Sequence, residues 1–341
     1  MAHLYHLLTY LFVLGVVVTL HEMGHYLACK SQGIRVDTFS LGFGPVLAST
    51  TLWGTLFTLR LIPLGGFIIP AGAGNRPETA TEGEYFSKAW YKRLIVVYAG
   101  PAMNFVLAFL IFVGLLWARG IPSYTDDSII GQMEKGSLAD KAGLLPGDEI
   151  MYVNEEPVDT WHRMRLEISV SGPDLSLVVL RGHALKTFHI PFGIEPPRLL
   201  GILPLQTYTP LGLVAASKES ASICTFQVTQ TYQILSANLR HGKKAELAGP
   251  IGIYQAVAQA SSDWVETFSL MAIISLSLGI FNLLPIPLLD GGTGVLFWWE
   301  GLTGKYPSTL VVNIFQLVGL VVIGFILLFA TAGDIGRLLG H

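Results

Sequence analysis

His21, Glu22 and His25 stand in the order HEMGH, and their types and spacing define the chemistry this chain could perform. An α-helix turns once in 3.6 residues, so His21 and His25 project from one face and can grip one metal ion, with Glu22 alongside as a base. That is the donor pattern of a zinc peptidase. The motif closes an apolar run that begins at Leu4, which puts it in a segment suited to crossing a membrane. Ionisable groups near the centre of such a helix cost roughly 2.5 to 3.5 kcal/mol each on insertion scales, and a bound metal would offset that cost.

A catalytic zinc site generally takes three protein ligands and keeps a fourth position for water. Asp290 is the expected third. It lies in NLLPIPLLDGG, Asn282 to Gly292, where two prolines break the helix and two glycines let backbone approach closely. Read in isolation, Asp290 is also consistent with a helix-end acid at the cytoplasmic interface. Cys29, four residues after His25 on the same helical face, is either a rival ligand or an inert thiol. With Zn2+ held by His21, His25 and Asp290, Glu22 is expected to accept a proton from the bound water and return it to the leaving amine of a cleaved peptide. Asn282 is expected to contact substrate backbone near the metal, with Gly65, Gly66 and Asn104 in the same role.

These residues need elements to hold them. The chain has 341 residues, 51% hydrophobic and 13% charged, with a mean hydropathy of +0.54, which is membrane-protein composition. Four stretches are free enough of charge to span a hydrocarbon core, which takes roughly 20 residues: Leu4 through HEMGH to Cys29, Leu94 to Trp117, Thr267 to Leu289, and Tyr306 to Gly333. Lys30, Arg35, Arg60, Arg76, Lys88, Lys92 and Arg93 cluster between the first two spans, so that loop is expected on the cytoplasmic side and the segment between spans two and three outside. The net charge of -3 and the absence of a long basic run give no sign of nucleic-acid binding. The N-terminus has no basic n-region and no small-residue cleavage site, so the first apolar segment is expected to stay in the mature protein. Two cysteines are too few for a disulfide framework.

Between Trp53 and Ala71, TLFTLRLIPLGGFIIPA alternates like a strand pair, breaks at Pro-Leu-Gly-Gly, and is too apolar for an ordinary exposed loop. It reads as a membrane-associated hairpin whose free edge could receive a substrate strand, or as a strand pair that only packs against the helices. From about Ser128 to Pro196 the composition becomes that of a small β-rich domain. Leu211 to Leu239 reads as an amphipathic helix on the outer membrane face, or as a soluble helix under that domain.

The fold class expected is therefore an α-helical polytopic membrane protein with four transmembrane helices, a membrane-associated β-hairpin and one inserted β-rich domain, which is PDZ-like because its string GSLADKAGLLPGDEIMYVNEEPVDTW, Gly136 to Trp161, resembles a PDZ domain. The expected divisions are 1–120 and 266–341 for the two halves of the membrane domain, 121–200 for the PDZ-like domain, and 201–265 for a linker and amphipathic helix.

With these motifs assembled, the chain closely resembles the site-2 proteases, and within them the bacterial RseP-like intramembrane metalloproteases. The resemblance rests on HEMGH, NLLPIPLLDGG, LGFGP (Leu41–Pro45), IPLGGF (Ile62–Phe67), AGPAMN (Ala99–Asn104), AGPIGI (Ala248–Ile253) and EGLTGK (Glu300–Lys305). It also includes the PDZ-like string from Gly136 to Trp161. The resemblance implies zinc bound by His21, His25 and Asp290, Glu22 as catalytic glutamate, and Asn282 in contact with substrate. It further implies cleavage of single-span membrane proteins of the anti-sigma-factor or remnant-signal-peptide type, an upstream site-1 type protease, and a bacterial inner membrane as the location. The chain departs from that pattern in GGFIIPAG at the hairpin, in Leu288 where a small residue is usual, and in having one PDZ-like domain. A PDZ-bearing membrane scaffold or chaperone that does not cut is the alternative function.

Overall fold

The computed structural model describes residues 2–74, 77–192, 199–241 and 249–339; Arg76, Pro196 and Ala248, named above, lie outside them. In chain order the elements are α1 (Ala2–Ser31), β1 (Val36–Leu52), β2 (Thr55–Pro70), a 3-10 turn (Tyr85–Ser87), α2 (Trp90–Arg119), β3 (Ile121–Tyr124), β4 (Ile130–Met133), α3 (Leu138–Ala142), β5 (Glu149–Val153), β6 (Glu156–Pro157), α4 (Trp161–Val170), β7 (Asp174–Arg181), β8 (Ala184–Pro191), β9 (Ile202–Pro204), β10 (Gln206–Thr209), α5 (Leu213–His241), α6 (Pro250–Ala260), α7 (Trp264–Leu283), α8 (Asp290–Thr303) and α9 (Thr309–Leu338). They form two units, one from residues 1–115 with 213–341 and the other from residues 116–212.

In the larger unit, α1, α2, α7 and α9 are long and apolar enough to cross a membrane, and they coincide with the four spans expected from sequence. The chain is a multi-pass membrane protein. The third span, however, stops at Leu283 instead of reaching Leu289. Leu284, held extended ahead of Pro285, ends it, and Asp290 opens the separate helix α8. Along α9, Leu310, Leu317, Val321, Phe325 and Leu328 are all exposed, as suits a helix that is solvated by lipid.

β1 and β2 make one long antiparallel hairpin closed by Trp53 and Gly54, both at positive φ as a two-residue primed turn requires. The hairpin bends back on itself around Gly42, Gly44 and Gly65, which all take positive φ. At Gly42 a Cβ would lie 2.6 Å from the Ile62 carbonyl oxygen, so only glycine fits the bend. In consequence Thr38 to Leu41 pairs with Gly66 to Ile69 on one side and lies beside Leu56 to Leu59 on the other. Leu47, Trp53, Leu59, Leu61 and Ile62 are exposed, an apolar density that fits contact with lipid. The base of the hairpin is fixed by a buried cluster that includes Tyr26, Cys29, Val36, Phe39, Tyr85 and Phe297, which joins α1, β1, α2 and α8.

The helix expected from Leu211 is α5, and it packs Ile223 and Cys224 against Ala108, Phe112, Ala272 and Leu276 of α2 and α7. It therefore belongs to the membrane unit. Helices α4, α6 and α8 are elements that the sequence pattern did not announce.

The smaller unit holds a four-stranded antiparallel sheet in the order β6-β5-β7-β8, with the pairs β4-β9 and β3-β10 beside it. Its core is built on Ile130, Ile150, Met164, Leu175, Leu177 and Ile190. Ser137 caps α3 by accepting from the Asp140 amide, and Gly143 ends it in the left-handed conformation. Asn154 and Glu155, both at positive φ, turn β5 into β6. Asp148 is buried and accepts from Arg181 Nε and Nη2, each at 2.7 Å, and from the Leu145 amide.

Candidate active site

Close helix packing creates the site. A Cβ on Gly24 would lie 2.3 Å from the Ala99 carbonyl oxygen, and one on Gly100 would lie 2.3 Å from His25 Nε2. The bare backbone of α2 thus passes directly against the HEMGH face of α1. The glycines after Asp290 do equivalent work, since a Cβ on Gly291 would meet the Leu284 carbonyl oxygen at 2.2 Å and one on Gly292 that of Ile286 at the same distance. They fold the Pro285 to Leu289 segment tightly onto the first turn of α8. Arg93 of α2 anchors the far end of α8 through Glu300 at 2.5 Å, and its guanidinium lies over the Phe86 and Phe297 rings.

His21, His25 and Asp290 converge. The two Nε2 atoms are 3.2 Å apart, His21 Nε2 is 3.2 Å from Asp290 Oδ2, and His25 Nε2 is 3.4 Å from Asp290 Oδ1. His25 Nδ1 is 2.8 Å from the Val96 carbonyl oxygen, which can only accept, so Nδ1 carries the ring proton and the neutral ring keeps its lone pair on Nε2. Asp290 Oδ2 is buried with no hydrogen-bond partner among the described residues. Ligand distances of about 2.0 to 2.1 Å around a tetrahedral zinc put neighbouring donors about 3.3 Å apart, which matches the separation of the two imidazoles and the distance from each to its nearer Asp290 oxygen. The donor set and its spacing fit zinc. Cys29 is fully buried in the hairpin-base cluster and is not among the residues grouped around this point.

A cavity of about 590 Å³ opens on the cluster. Glu22 lines it beside the histidines, and Ile68 of the hairpin lines it too. Gly65 and Gly66 are on its wall, and a Cβ on Gly66 would meet Glu22 Cγ at 3.1 Å. Asn282, from the last turn of α7, lines it too, as does Leu288, whose φ of 72° is rare for a branched side chain. Asn104 differs from the other expected substrate contacts. It is fully buried, with its amide 3.1 Å from His21 Nδ1.

The profile of peptidase family M50 matches residues 9–326. This chain belongs to peptidase family M50. A candidate zinc metalloprotease of Rhizobium meliloti is 32% identical, with 97% of this chain and 96% of that protein covered. Others so described are found in Mesorhizobium japonicum, at 32% over 93% and 95% of the two chains, and in Clostridium acetobutylicum, at 27% over 94% of each. This M50 peptidase is a membrane metalloprotease, and its metal is zinc.

Sequence reasoning missed three parts of the site. The Val96 carbonyl is backbone and leaves no signature. Tyr85 lines the cavity, and burial raises its phenol pKa, so it stays protonated. Arg93 counted only as one of the basic residues between the first two spans and Glu300 as part of EGLTGK, and their pairing across 207 positions had no local signal.

Proposed function

We propose that this M50 peptidase hydrolyses peptide bonds within the transmembrane segments of single-span membrane proteins, with His21, His25 and Asp290 holding zinc and Glu22 moving the proton. The observation that carries this reading is the convergence of three donors at tetrahedral spacing, from helices far apart in sequence, on the cavity that Glu22 lines. Zinc, when bound, lowers the pKa of water and polarises a carbonyl. Glu22 takes the proton from the attacking water and delivers it to the leaving amine, and the Gly66 backbone packed against its Cγ limits where its side chain can lie.

A substrate helix has its carbonyls and amides tied up internally, so it must unwind before it can be cut. The Gly66 to Pro70 strand, which borders the cavity, offers backbone partners to the freed groups by strand addition, and the Asn282 amide offers a further one. Gly65 and Gly66 keep that strand free of side chains where the substrate would lie. The β-rich unit is read as one PDZ-type domain outside the membrane, which binds a new C-terminus or excludes bulky proteins by size. Substrates of the anti-sigma-factor or remnant-signal-peptide type, trimmed first by a site-1 type protease at a bacterial inner membrane, complete the reading. The active site would face the cytoplasm.

The test is zinc content and cleavage of a model membrane peptide in detergent. Glu22→Gln should keep zinc and lose cleavage, and Asp290→Ala should lose both. Wild-type cutting by Glu22→Gln would overturn the mechanism.

A further inference from the structure

Asn104 has a place in the site that its expected role as a substrate contact does not explain. It is fully buried, and its terminal amide lies 3.1 Å from Nδ1 of His21, the ring nitrogen opposite the one that faces Asp290 and His25. The Asn104 residue is itself held: Ser275 Oγ donates to its backbone carbonyl at 2.9 Å, and Gly279 of α7 passes close enough that a Cβ would sit 3.3 Å from the Asn104 Cβ. Helices α1, α2 and α7 are thus keyed together at this side chain.

The chemistry turns on which end of the amide faces the imidazole. If Nδ2 faces Nδ1, the ring must accept there and carry its proton on Nε2, aimed at Asp290 and at the other histidine, where a metal ligand needs a lone pair. That orientation also leaves Asn104 Oδ1 buried with no hydrogen-bond partner among the described residues. A half-turn of the amide reverses this. Oδ1 then accepts from Nδ1–H, and His21 Nε2 is left with its lone pair toward the metal position. His25 already has the equivalent arrangement, with the Val96 carbonyl as acceptor.

We propose that Asn104 is a positioning residue that presents its amide oxygen to His21 Nδ1–H and so fixes the tautomer and ring orientation with which His21 binds zinc. The proposal rests on the reading of His21 as a ligand. Partners of this kind change metal affinity by 10- to 100-fold when removed. Asparagine supplies the acceptor without adding a second charge to a carbon-rich span.

The experiment compares full-length wild type, Asn104→Leu, Asn104→Asp and His21→Ala. Zinc affinity is measured by chelator competition, tautomers by 15N spectra of histidine-labelled protein, and cobalt-substituted samples by visible absorption. Asn104→Leu should weaken zinc binding at least 10-fold, move the His21 proton from Nδ1 and alter the cobalt spectrum, with kcat reduced and KM unchanged. Asn104→Asp, which keeps an acceptor, should stay within about 3-fold of wild-type affinity. Unchanged zinc affinity with a raised KM in Asn104→Leu would overturn the proposal in favour of substrate contact. A wild-type His21 protonated on Nε2 would also overturn it, and this readout does not depend on any variant folding. Undiminished zinc affinity in His21→Ala would instead overturn the ligand assignment beneath it.

Discussion

Gly100 lies so near His25 that a Cβ built on it would be 2.3 Å from Nε2 and 2.9 Å from His21 Cε1. Gly100→Ala should therefore have two effects of opposite sign. Helix propensity favours alanine by about 1 kcal/mol, so α2 should not unfold. The imidazoles must move, and a displacement of about 1 Å can cost on the order of 100-fold in rate. Thermal unfolding should be near that of wild type while zinc content and cleavage fall; wild-type cleavage would show that the histidines can shift freely.

Leu288 holds φ at 72° two residues before Asp290, a conformation that costs a branched residue roughly 1 to 2 kcal/mol. Leu288→Gly should remove that strain and stabilise the folded chain by about 1 kcal/mol. Leu288→Val, branched at Cβ, should do the reverse. Unfolding midpoints for the two variants check the order, and equal midpoints would mean the segment adjusts its backbone.

Arg93 is almost wholly buried, and its pair with Glu300 ties α2 to α8. Removing one partner of a buried pair costs about 3 to 5 kcal/mol, whereas replacing both by apolar groups is often neutral. Glu300→Leu should destabilise the protein and weaken zinc binding through α8. The double variant Arg93→Met with Glu300→Leu should recover most of the loss, and a double-mutant cycle showing no coupling would refute the tie.

In the β-rich unit, burial raises the Asp148 pKa, but hydrogen bonds from Arg181 and the Leu145 amide outweigh it and hold the carboxyl below the usual carboxylate range. A lowered folded pKa stabilises above the unfolded value of about 3.9 and is lost as pH falls through the folded value. Asp148→Asn should cost about 3 kcal/mol at neutral pH and much less once the pH falls below the lowered folded pKa. Protease susceptibility of residues 116–212 in the full-length protein, followed against pH, gives the comparison. A pH-independent difference would exclude the ion pair as its source.

The four spans were legible because a charge-free run of about 20 residues matches the thickness of a hydrocarbon core and is far longer than a soluble core helix needs. The HEMGH face was legible because helical spacing is local, and Asp290 because a lone acid beside two prolines in an apolar segment calls for a partner. What escaped depended on contacts between distant segments. The doubling-back of the hairpin depends on Gly42, Gly44 and Gly65, which read in sequence as generic breakers. Helix α8 went unread because its opening glycines, Gly291, Gly292 and Gly294, look like breakers just past the expected end of the third span at Leu289. Asn104 was expected as a substrate contact, and nothing local in the sequence says that its amide meets His21.

The close approach of the Gly66 backbone to Glu22, where a Cβ would lie 3.1 Å from Cγ, couples the proton carrier to the strand that borders the cavity. If a substrate lines up along that strand, the peptide bond presented for attack is fixed by counting residues from the strand, in the way a jig sets where a saw falls. Side-chain identity then matters little at the cut itself. Selection moves to whether a stretch of helix will come undone, so glycine and proline in the target should govern turnover more than any consensus around the broken bond.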